Sequence, residues 1–263
     1  MSKKLILLAG PTASGKSNLA IKLAKKINGE IINADSMQVF KEFTILSSRP
    51  GTIQMRKVKH HLYGIISVKK HFSAGDWLKQ AKKKIKICLK KKKVPIIVGG
   101  TGLYFNTITK GISKIPNIDK KTRNKVRNLY KKLGIKRFYK QLLNLDPKIK
   151  YKIPQTDPQR LQRAYEVKLK TKKSLFDWFV NTKSDFLDFE IKKIFIETPR
   201  ELLLKKISIR TEQMFRNKCI NEVKKFNRLK INKNLSVNKL IGVQEINDFL
   251  RGSISLEQCK DLI

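Results

Sequence analysis

The sequence predicts an α/β fold, in which a doubly wound parallel sheet with a P-loop forms the core and an all-helical subdomain is inserted into it. Three observations lead to this fold class. An apolar run at residues 5–8 enters a glycine-rich loop, strand-like and helical segments then alternate, and strand-like runs nearly vanish between residues 112 and 190. Such alternation is typical of parallel sheets covered by helices. We expect a core from residues 1–111 and 191–263, and a helical insertion from residues 112–190.

The glycine-rich loop matches the phosphate-loop pattern G-x-x-x-x-G-K-[ST] at every fixed position. Its residues are Gly10, Pro11, Thr12, Ala13, Ser14, Gly15, Lys16 and Ser17. The glycines let backbone N–H groups and the start of the next helix approach a polyphosphate, Lys16 adds a positive charge, and Ser17 offers a hydroxyl to Mg²⁺. The pattern predicts a polyphosphate site, and it leaves open whether a nucleotide carries the phosphates.

Two further strand-like runs deliver candidate site residues. The run at residues 30–34 ends at Asp35, where open α/β sheets bind ligands. This carboxylate could be a Mg²⁺ ligand, a general base or the cap of a following turn. The run at residues 94–98 ends at a glycine pair and Thr101, where the backbone could approach a ligand. The alternative is a helix-entry turn that binds nothing.

The helical segments follow from apolar periodicity and capping signals. Ser73 and Asp76 form a capping-box pair at the start of a helix that extends to about residue 92. Inside the insertion, Asp157 and Pro158 open a helix that carries Arg160 and Arg163 on one face, with Gln159 and Gln162 beside them. Such a face could contact phosphates and base edges, or it could be a solvated basic face. The predicted insertion helices are residues 120–133, 135–143, 158–170 and 174–180.

After the insertion the sequence returns to the sheet. A strand is predicted at residues 193–197, and a helix follows at residues 201–215. That helix carries Arg210, a candidate clamp on developing phosphate charge.

Net charge and cysteine content indicate the kind of partner that the protein binds and the compartment in which it works. The net charge of +40, from 60 Lys+Arg against 20 Asp+Glu, favours a polyanionic partner. The excess of lysine, with abundant Ile and Asn, is also typical of AT-rich coding sequences. The three cysteines lie far apart and are expected to be reduced cytosolic thiols, with no disulfide framework and no zinc spacing. No signal peptide or membrane span is predicted.

His60 and His61 point to opposite faces of a strand, which favours a structural or phosphate-contacting role over metal binding.

Five motifs, in order, carry a family resemblance across nearly the whole chain. They are GPTASGKS at 10–17, DSMQV at 35–39, HHL at 60–62, GGTGLY at 99–104 and DPQRLQRAYEV at 157–167. With this set the sequence resembles the tRNA dimethylallyltransferases, also called tRNA isopentenyltransferases. The resemblance implies a cytoplasmic, monomeric enzyme. Its reaction would move the dimethylallyl group of dimethylallyl diphosphate to N6 of the adenosine on the 3′ side of the tRNA anticodon (A37), releasing diphosphate.

The resemblance also implies residue roles. Asp35 resembles the general base, and Thr101 resembles the residue that hydrogen-bonds near the reacting amine and the bridging oxygen. Residues 12–17 resemble the diphosphate cradle, Arg210 steadies the diphosphate, and Mg²⁺ at Ser17 helps it to leave. The implied contacts to the tRNA anticodon stem-loop are Asp35, Ser36, Met37, Gln38, Thr101, Arg123, Gln159, Arg160, Leu161, Gln162 and Arg163.

Two alternatives remain from the sequence. The P-loop alone favours a small-molecule or nucleotide kinase that binds ATP. Relatives continue past the position of Ile263 with a further helix, and their Thr-Ala-Lys-Pro loop is here Ser-Ser-Arg-Pro at residues 47–50. These differences lead to the second alternative, a truncated RNA-binding relative without activity.

Overall fold

A computed structural model describes residues 3–232 and 235–263. Within these ranges, five parallel strands form one sheet in the order β3-β2-β4-β1-β5. They are β1 (Lys3–Ala9), β2 (Gly29–Asn33), β3 (His60–His61), β4 (Val94–Gly99) and β5 (Phe189–Phe195). The parallel sheet confirms the predicted fold class. Since β1 lies between β4 and β5, the loop that follows it emerges in the interior of the sheet and not at an edge.

Helices precede and follow these strands along the chain. The first group is α1 (Lys16–Lys26), α2 (Thr52–Lys57), α3 (Ala74–Lys90) and α4 (Gly102–Thr109). After β5 come α8 (Arg200–Arg216), α9 (Cys219–Arg228), α10 (Val243–Leu250) and α11 (Leu256–Asp261). The Ser73–Asp76 capping box is confirmed, because the Asp76 N–H donates to Ser73 Oγ at 3.1 Å and the Ser73 N–H donates to Asp76 Oδ2 at 2.9 Å. None of the described helices combines the length and the apolar character that a membrane span requires.

The sheet is buried on both faces. Leu5 and Leu7 of β1 face α3 and α4, where Trp77 stacks on Tyr104 with ring centres 4.3 Å apart. Ile6 and Leu8 belong to the other face, which α1 covers. Alternate residues of a strand point to opposite faces, so burial on both sides explains the continuous apolar runs seen in the sequence.

The chain divides into two compact units. The first contains the residues up to Ile108 together with Phe186–Ile263, and the second is Thr109–Asp185. The expected boundaries, after residues 111 and 190, lie three and five residues further along the chain. The second difference has a physical reason, since Phe186 is already buried in the apolar cluster of the sheet.

The second unit is helical. It contains α5 (Lys120–Leu145), a 3₁₀ turn at Pro147–Ile149, α6 (Pro158–Thr171) and α7 (Leu175–Val180). Gly134, with φ 68°, interrupts α5 at the residue that separates the two predicted helices. Asp157 caps α6 by accepting a hydrogen bond from the Arg160 N–H at 3.0 Å, as predicted. A hydroxyl–hydroxyl hydrogen bond of 2.6 Å between Ser113 and Thr182 joins the first and last segments of the unit.

Candidate active site

The loop at residues 10–17 has the shape of an anion-binding loop. Gly15 adopts φ 86° and ψ 10°, and α1 begins at the next residue with no side chain capping its N-terminus. The Ser14 N–H donates to the Pro11 carbonyl at 3.3 Å, and the Lys16 ammonium also donates to this carbonyl. Uncapped N–H groups at a helix start attract negative charge. The geometry of this loop is therefore suited to an anion, and a polyphosphate there remains a prediction.

Asp35 is held at the end of β2 by its neighbour Asn33. The Asn33 side chain accepts from the Asp35 N–H at 2.9 Å and donates to the Asp35 carbonyl at 2.9 Å. It also donates to the Leu62 carbonyl at 3.1 Å. Asp35 Oδ1 accepts from the Met37 N–H at 2.9 Å, so the capping role is present and engages one of the two carboxylate oxygens. Sequence reasoning missed Asn33, although a polar side chain inside an apolar strand was a signal.

Thr101 lies beside Asp35 because β2 and β4 are neighbours. Thr101 Oγ1 accepts from the Ser36 N–H at 2.9 Å, and the Thr101 N–H donates to the Ala34 carbonyl at 3.2 Å. Gly99 permits this approach, since a Cβ there would lie 2.2 Å from the Ala34 carbonyl oxygen. The two candidate catalytic residues are thus brought together.

Two cationic side chains, Lys16 and Arg210, lie close to Asp35. Burial lowers the pKa of Lys16; Asp35 opposes this decrease and Arg210 adds to it. Burial also lowers the pKa of Arg210, again with Asp35 opposing. Among the described residues, Arg210 Nε and Ser14 Oγ are buried without a hydrogen-bond partner. Partly desolvated cations close enough to perturb each other are stabilised by an anion, so this end of the sheet is suited to a polyphosphate.

A cavity of about 200 Å³ adjoins these groups. Its polar wall includes Thr12, Asp35 and Arg210. Its apolar wall is formed by Met37, Leu46, Ile207, Met214, Leu240, Ile241 and Ile263. A carboxylate and a guanidinium therefore face the same space as a set of aliphatic side chains, which suits a ligand with one charged end and one apolar end.

Glu222, at the start of α9, fixes the segment that carries Leu46. Its Oε1 accepts from the Thr44 N–H at 2.6 Å, the Thr44 hydroxyl at 3.1 Å and the Ile45 N–H at 3.0 Å. Its Oε2 accepts from the Leu46 N–H at 3.0 Å. Gln38 holds the next residue, because its amide donates to the Ser47 carbonyl at 2.9 Å. No sequence pattern indicates this role of Glu222, because its partner Thr44 lies 178 residues away in the chain.

The remaining predicted site residues lie in the second unit. Gln159 and Arg160 are exposed on the first turn of α6, and Gln162 and Arg163 are half-buried. Arg163 pairs with Glu166, and Arg123 Nε on α5 is buried without a partner in the described part of the chain. The prediction that Leu161 contacts RNA is wrong for its side chain. Leu161 is fully buried in the core of this unit, because the opposite face of α6 carries the polar residues.

The donors near the P-loop fit Mg²⁺ only in part. Ser17 is half-buried on the first turn of α1 and offers one hydroxyl. In the described ranges, three closely spaced potential metal ligands occur elsewhere, at Glu30, His61 and Cys88. Mg²⁺ commonly binds through one or two protein oxygens, with substrate phosphates and water completing its shell. The P-loop donors therefore fit an ion held mainly by the oxygens of a bound polyphosphate.

Buried polar residues also explain the histidines. His61 Nε2 lies 2.6 Å from Glu30 Oε2, and the Cys88 thiol donates to the same oxygen at 3.5 Å. His60 contacts the Val58 carbonyl at 2.7 Å. These contacts give both histidines structural roles. Cys88, Cys219 and Cys259 are all free and buried, which confirms the prediction of unpaired thiols.

Comparisons with known proteins identify the family. A family model described as IPP transferase matches residues 38–263. The tRNA dimethylallyltransferase of Pelagibacter ubique is 54% identical over 260 residues, covering 99% of this chain and 83% of the relative. That of Rickettsia massiliae is 41% identical over 257 residues, covering 97% of this chain and 71% of the relative.

Solved structures give the same result. The tRNA isopentenylpyrophosphate transferase of Bacillus halodurans has a TM-score of 0.68 at 28% identity, covering 99% of this chain and 81% of its own. A eukaryotic dimethylallyltransferase, described as acting on tRNA, has a TM-score of 0.84 at 27% identity, covering 99% of this chain and 66% of its own. The family match extends over most of the sequence and includes the cavity residues from Leu46 to Ile263. This chain therefore belongs to the IPP transferase family, whose members include the tRNA dimethylallyltransferases.

Proposed function

We propose that this protein transfers a dimethylallyl group from dimethylallyl diphosphate to N6 of adenosine 37 in tRNA and releases diphosphate. One observation carries the proposal. A carboxylate, Asp35, shares a cavity with Arg210 and an apolar wall, and it lies near Lys16 of the P-loop. The names of the relatives support the same reaction.

The chemistry requires one bond to form as another breaks. The N6 amine attacks the carbon that is bonded to the diphosphate, and the carbon–oxygen bond breaks with its electron pair going to the leaving diphosphate. Asp35 accepts the proton that N6 loses. Lys16 and Arg210 stabilise the charge that develops on the diphosphate. Thr101, placed beside Asp35 through Ser36, orients the amine.

Mg²⁺ bound by the diphosphate oxygens and the Ser17 hydroxyl would add positive charge to the leaving group. Other groups of the P-loop provide the rest of the cradle. The α1 N-terminus supplies N–H groups, and Ser14 supplies a buried hydroxyl without a partner among the described residues. Each of these groups favours an anion over a neutral ligand.

The apolar wall distinguishes this donor from a simple polyphosphate. Met37, Leu46 and Met214 line the cavity that Asp35 and Arg210 also line. A five-carbon chain removed from water gains about 0.8 kcal/mol for each buried CH₂ group. Prenyl diphosphates, with a charged head and an apolar tail, therefore suit both walls of the cavity.

The tRNA would bind through charge and through α6. The net charge of +40 attracts the phosphate backbone, and Gln159 and Arg160 are exposed at the start of α6. Arg123, Gln162 and Arg163 are proposed as further contacts in the same unit. We also propose that the protein works as a monomer in the cytoplasm, where its three buried thiols stay reduced.

The deciding experiment incubates the purified protein with dimethylallyl diphosphate, Mg²⁺ and a tRNA that carries adenosine at position 37. Mass spectrometry of the digested nucleosides should detect N6-dimethylallyl adenosine. Replacing the prenyl donor with ATP should give no phosphoryl transfer. Rapid ATP turnover without a prenylated nucleoside would favour the kinase alternative and refute the proposal.

Asp35→Asn tests the proposed base. We expect transfer to fall by about 10²- to 10⁴-fold while tRNA affinity changes little, because the variant removes proton acceptance and keeps the size of the side chain. Asp188→Asn is the matched control, since Asp188 pairs with Lys3 on the surface. Wild-type protein that binds tRNA and yields no product would favour the inactive RNA-binding alternative.

A further inference from the structure

Tyr151, in the second unit, is exposed in a way that folding does not explain. Its relative exposure is 92%, so nearly all of the side chain is accessible to solvent. Its backbone adopts φ 61°, in the left-handed region. For a residue with a side chain this conformation costs about 1–3 kcal/mol. Glycine would adopt it without strain and would expose no apolar surface.

The turn that carries Tyr151 is well anchored. Ile149 and Ile153, two residues on either side, are buried in the core of the unit at 0% and 3% exposure. The N–H groups of Lys152 and Ile153 both donate to the Ile149 carbonyl, at 3.0 and 3.2 Å. The turn is therefore fixed without any help from the tyrosine ring, which it displays toward solvent.

One lysine lies over the ring, and two more are close to it in sequence. Lys150 Nζ lies 5.1 Å from the centre of the Tyr151 ring, and Lys152 Nζ lies 4.8 Å from the centre of the Phe176 ring. Lys148 completes an alternating row of lysines at 148, 150 and 152, although it pairs with Asp177 at 2.6 Å. An exposed aromatic ring among lysines is suited to a nucleic acid, since the ring can stack on a base while the ammonium groups contact phosphates.

We propose that Tyr151 is a stacking platform for an unpaired base of the bound RNA, and that Lys150 and Lys152 contact the phosphates flanking that base. The location supports this reading. Six residues after Tyr151, Asp157 caps α6, whose first turn exposes Gln159 and Arg160. The inference rests on the proposed function, because tRNA is the RNA concerned. It adds to that function a ring that none of the five motifs contains.

The test compares three variants in equilibrium binding of an anticodon stem-loop RNA, measured by fluorescence anisotropy at fixed salt. Tyr151→Gly removes the ring and relieves the backbone strain, so folding is preserved. We expect the Kd to rise by about 5- to 150-fold, the range measured for losing one base–aromatic stack. Tyr151→Phe keeps the ring and should bind within about twofold of wild type. Phe179→Ala, an exposed aromatic of α7, is the control and should also bind normally.

The salt dependence separates stacking from charge. Tyr151→Gly should keep the wild-type slope of log Kd against log salt, whereas Lys150→Ala should reduce the slope by about 0.7. Wild-type affinity in Tyr151→Gly would overturn the proposal, and so would equal losses in the Gly and Phe variants. The readout is binding alone. A protein that binds the stem-loop without transferring a prenyl group would refute the proposed function, and the Tyr151 comparison would still decide the platform.

Discussion

Glu222→Ala tests whether one carboxylate fixes the segment of residues 44–46 on the cavity wall. In the native protein this carboxylate accepts four hydrogen bonds, from the N–H groups of Thr44, Ile45 and Leu46 and from the Thr44 hydroxyl. Alanine removes both acceptor oxygens and with them all four hydrogen bonds. Leu46 lines the proposed prenyl site, and a Cβ on Gly242 would lie 2.7 Å from its side chain, so little space exists for Leu46 to move toward α10.

The size of the stability loss depends on which of these donors are left without water in the variant. The Thr44 donors are exposed and can bond to water, whereas the Ile45 and Leu46 N–H groups are partly buried. An unpaired buried donor costs about 1–3 kcal/mol, so two donors with partial relaxation give a loss of about 3 kcal/mol in unfolding free energy. Glu222→Gln keeps the three bonds to Oε1 and turns an amide NH₂ toward the Leu46 N–H. Its loss should be about half as large.

Urea denaturation followed by circular dichroism measures these losses, and the transfer assay measures the effect on the cavity. We expect the KM for dimethylallyl diphosphate to increase in Glu222→Ala more than in Glu222→Gln. Glu257→Ala, an exposed carboxylate on the first turn of α11, is the control and should cost less than about 1 kcal/mol. A Glu222→Ala protein as stable as this control would refute the reasoning, because the four hydrogen bonds would then contribute nothing measurable.

Three further predictions concern the sheet and its anion site. Gly99→Ala should lower the urea midpoint by the equivalent of about 1–3 kcal/mol, because its Cβ would overlap the β2 backbone, whereas Gly100→Ala should be nearly neutral. Arg210→Met should weaken diphosphate binding by about 10-fold or more in calorimetry, since a charge-assisted hydrogen bond is lost, and Lys205→Met on the same helix should not. Burial raises the pKa of Glu30, but hydrogen bonds from His61 and Cys88 outweigh it, so the folded-state pKa is lowered from 4.5. The ionised Glu30 contributes its full stability above that ordinary value, and this contribution is lost as the pH falls through the folded-state pKa. The melting temperature of wild type should therefore fall more steeply with decreasing pH than that of Glu30→Gln. Parallel pH curves, an unaffected Arg210 variant or a neutral Gly99 variant would each contradict the corresponding prediction.

Local rules account for what the sequence predicted well. The P-loop, the Ser73 and Asp157 caps and the break at Gly134 each depend on a few consecutive residues, whose propensities act within one turn. The parallel sheet follows from the alternation of apolar strands and helices, which is equally local.

The features that the sequence did not predict depend on contacts between residues far apart in the chain. The Asn33 contact to the Leu62 carbonyl exists only once β3 pairs with β2. Glu222 reaches residues 44–46 only after α9 has packed on the segment that follows β2. Leu161 was misplaced for a related reason, because helical periodicity shows that α6 has two faces and does not show which residues of a recognition motif the core will cover.

The hydrogen bond between Ser113 and Thr182 bears on whether the second unit can be removed or exchanged by protein engineering. It holds the entry and exit segments of residues 109–185 side by side, and the unit has an apolar core of its own. A segment whose ends lie close together and which has a hydrophobic core of its own is a candidate for excision, circular permutation or exchange between related proteins. The helical unit is therefore a candidate for transfer between related proteins, and a short linker in its place would leave the unit that contains the sheet to compare with the whole chain.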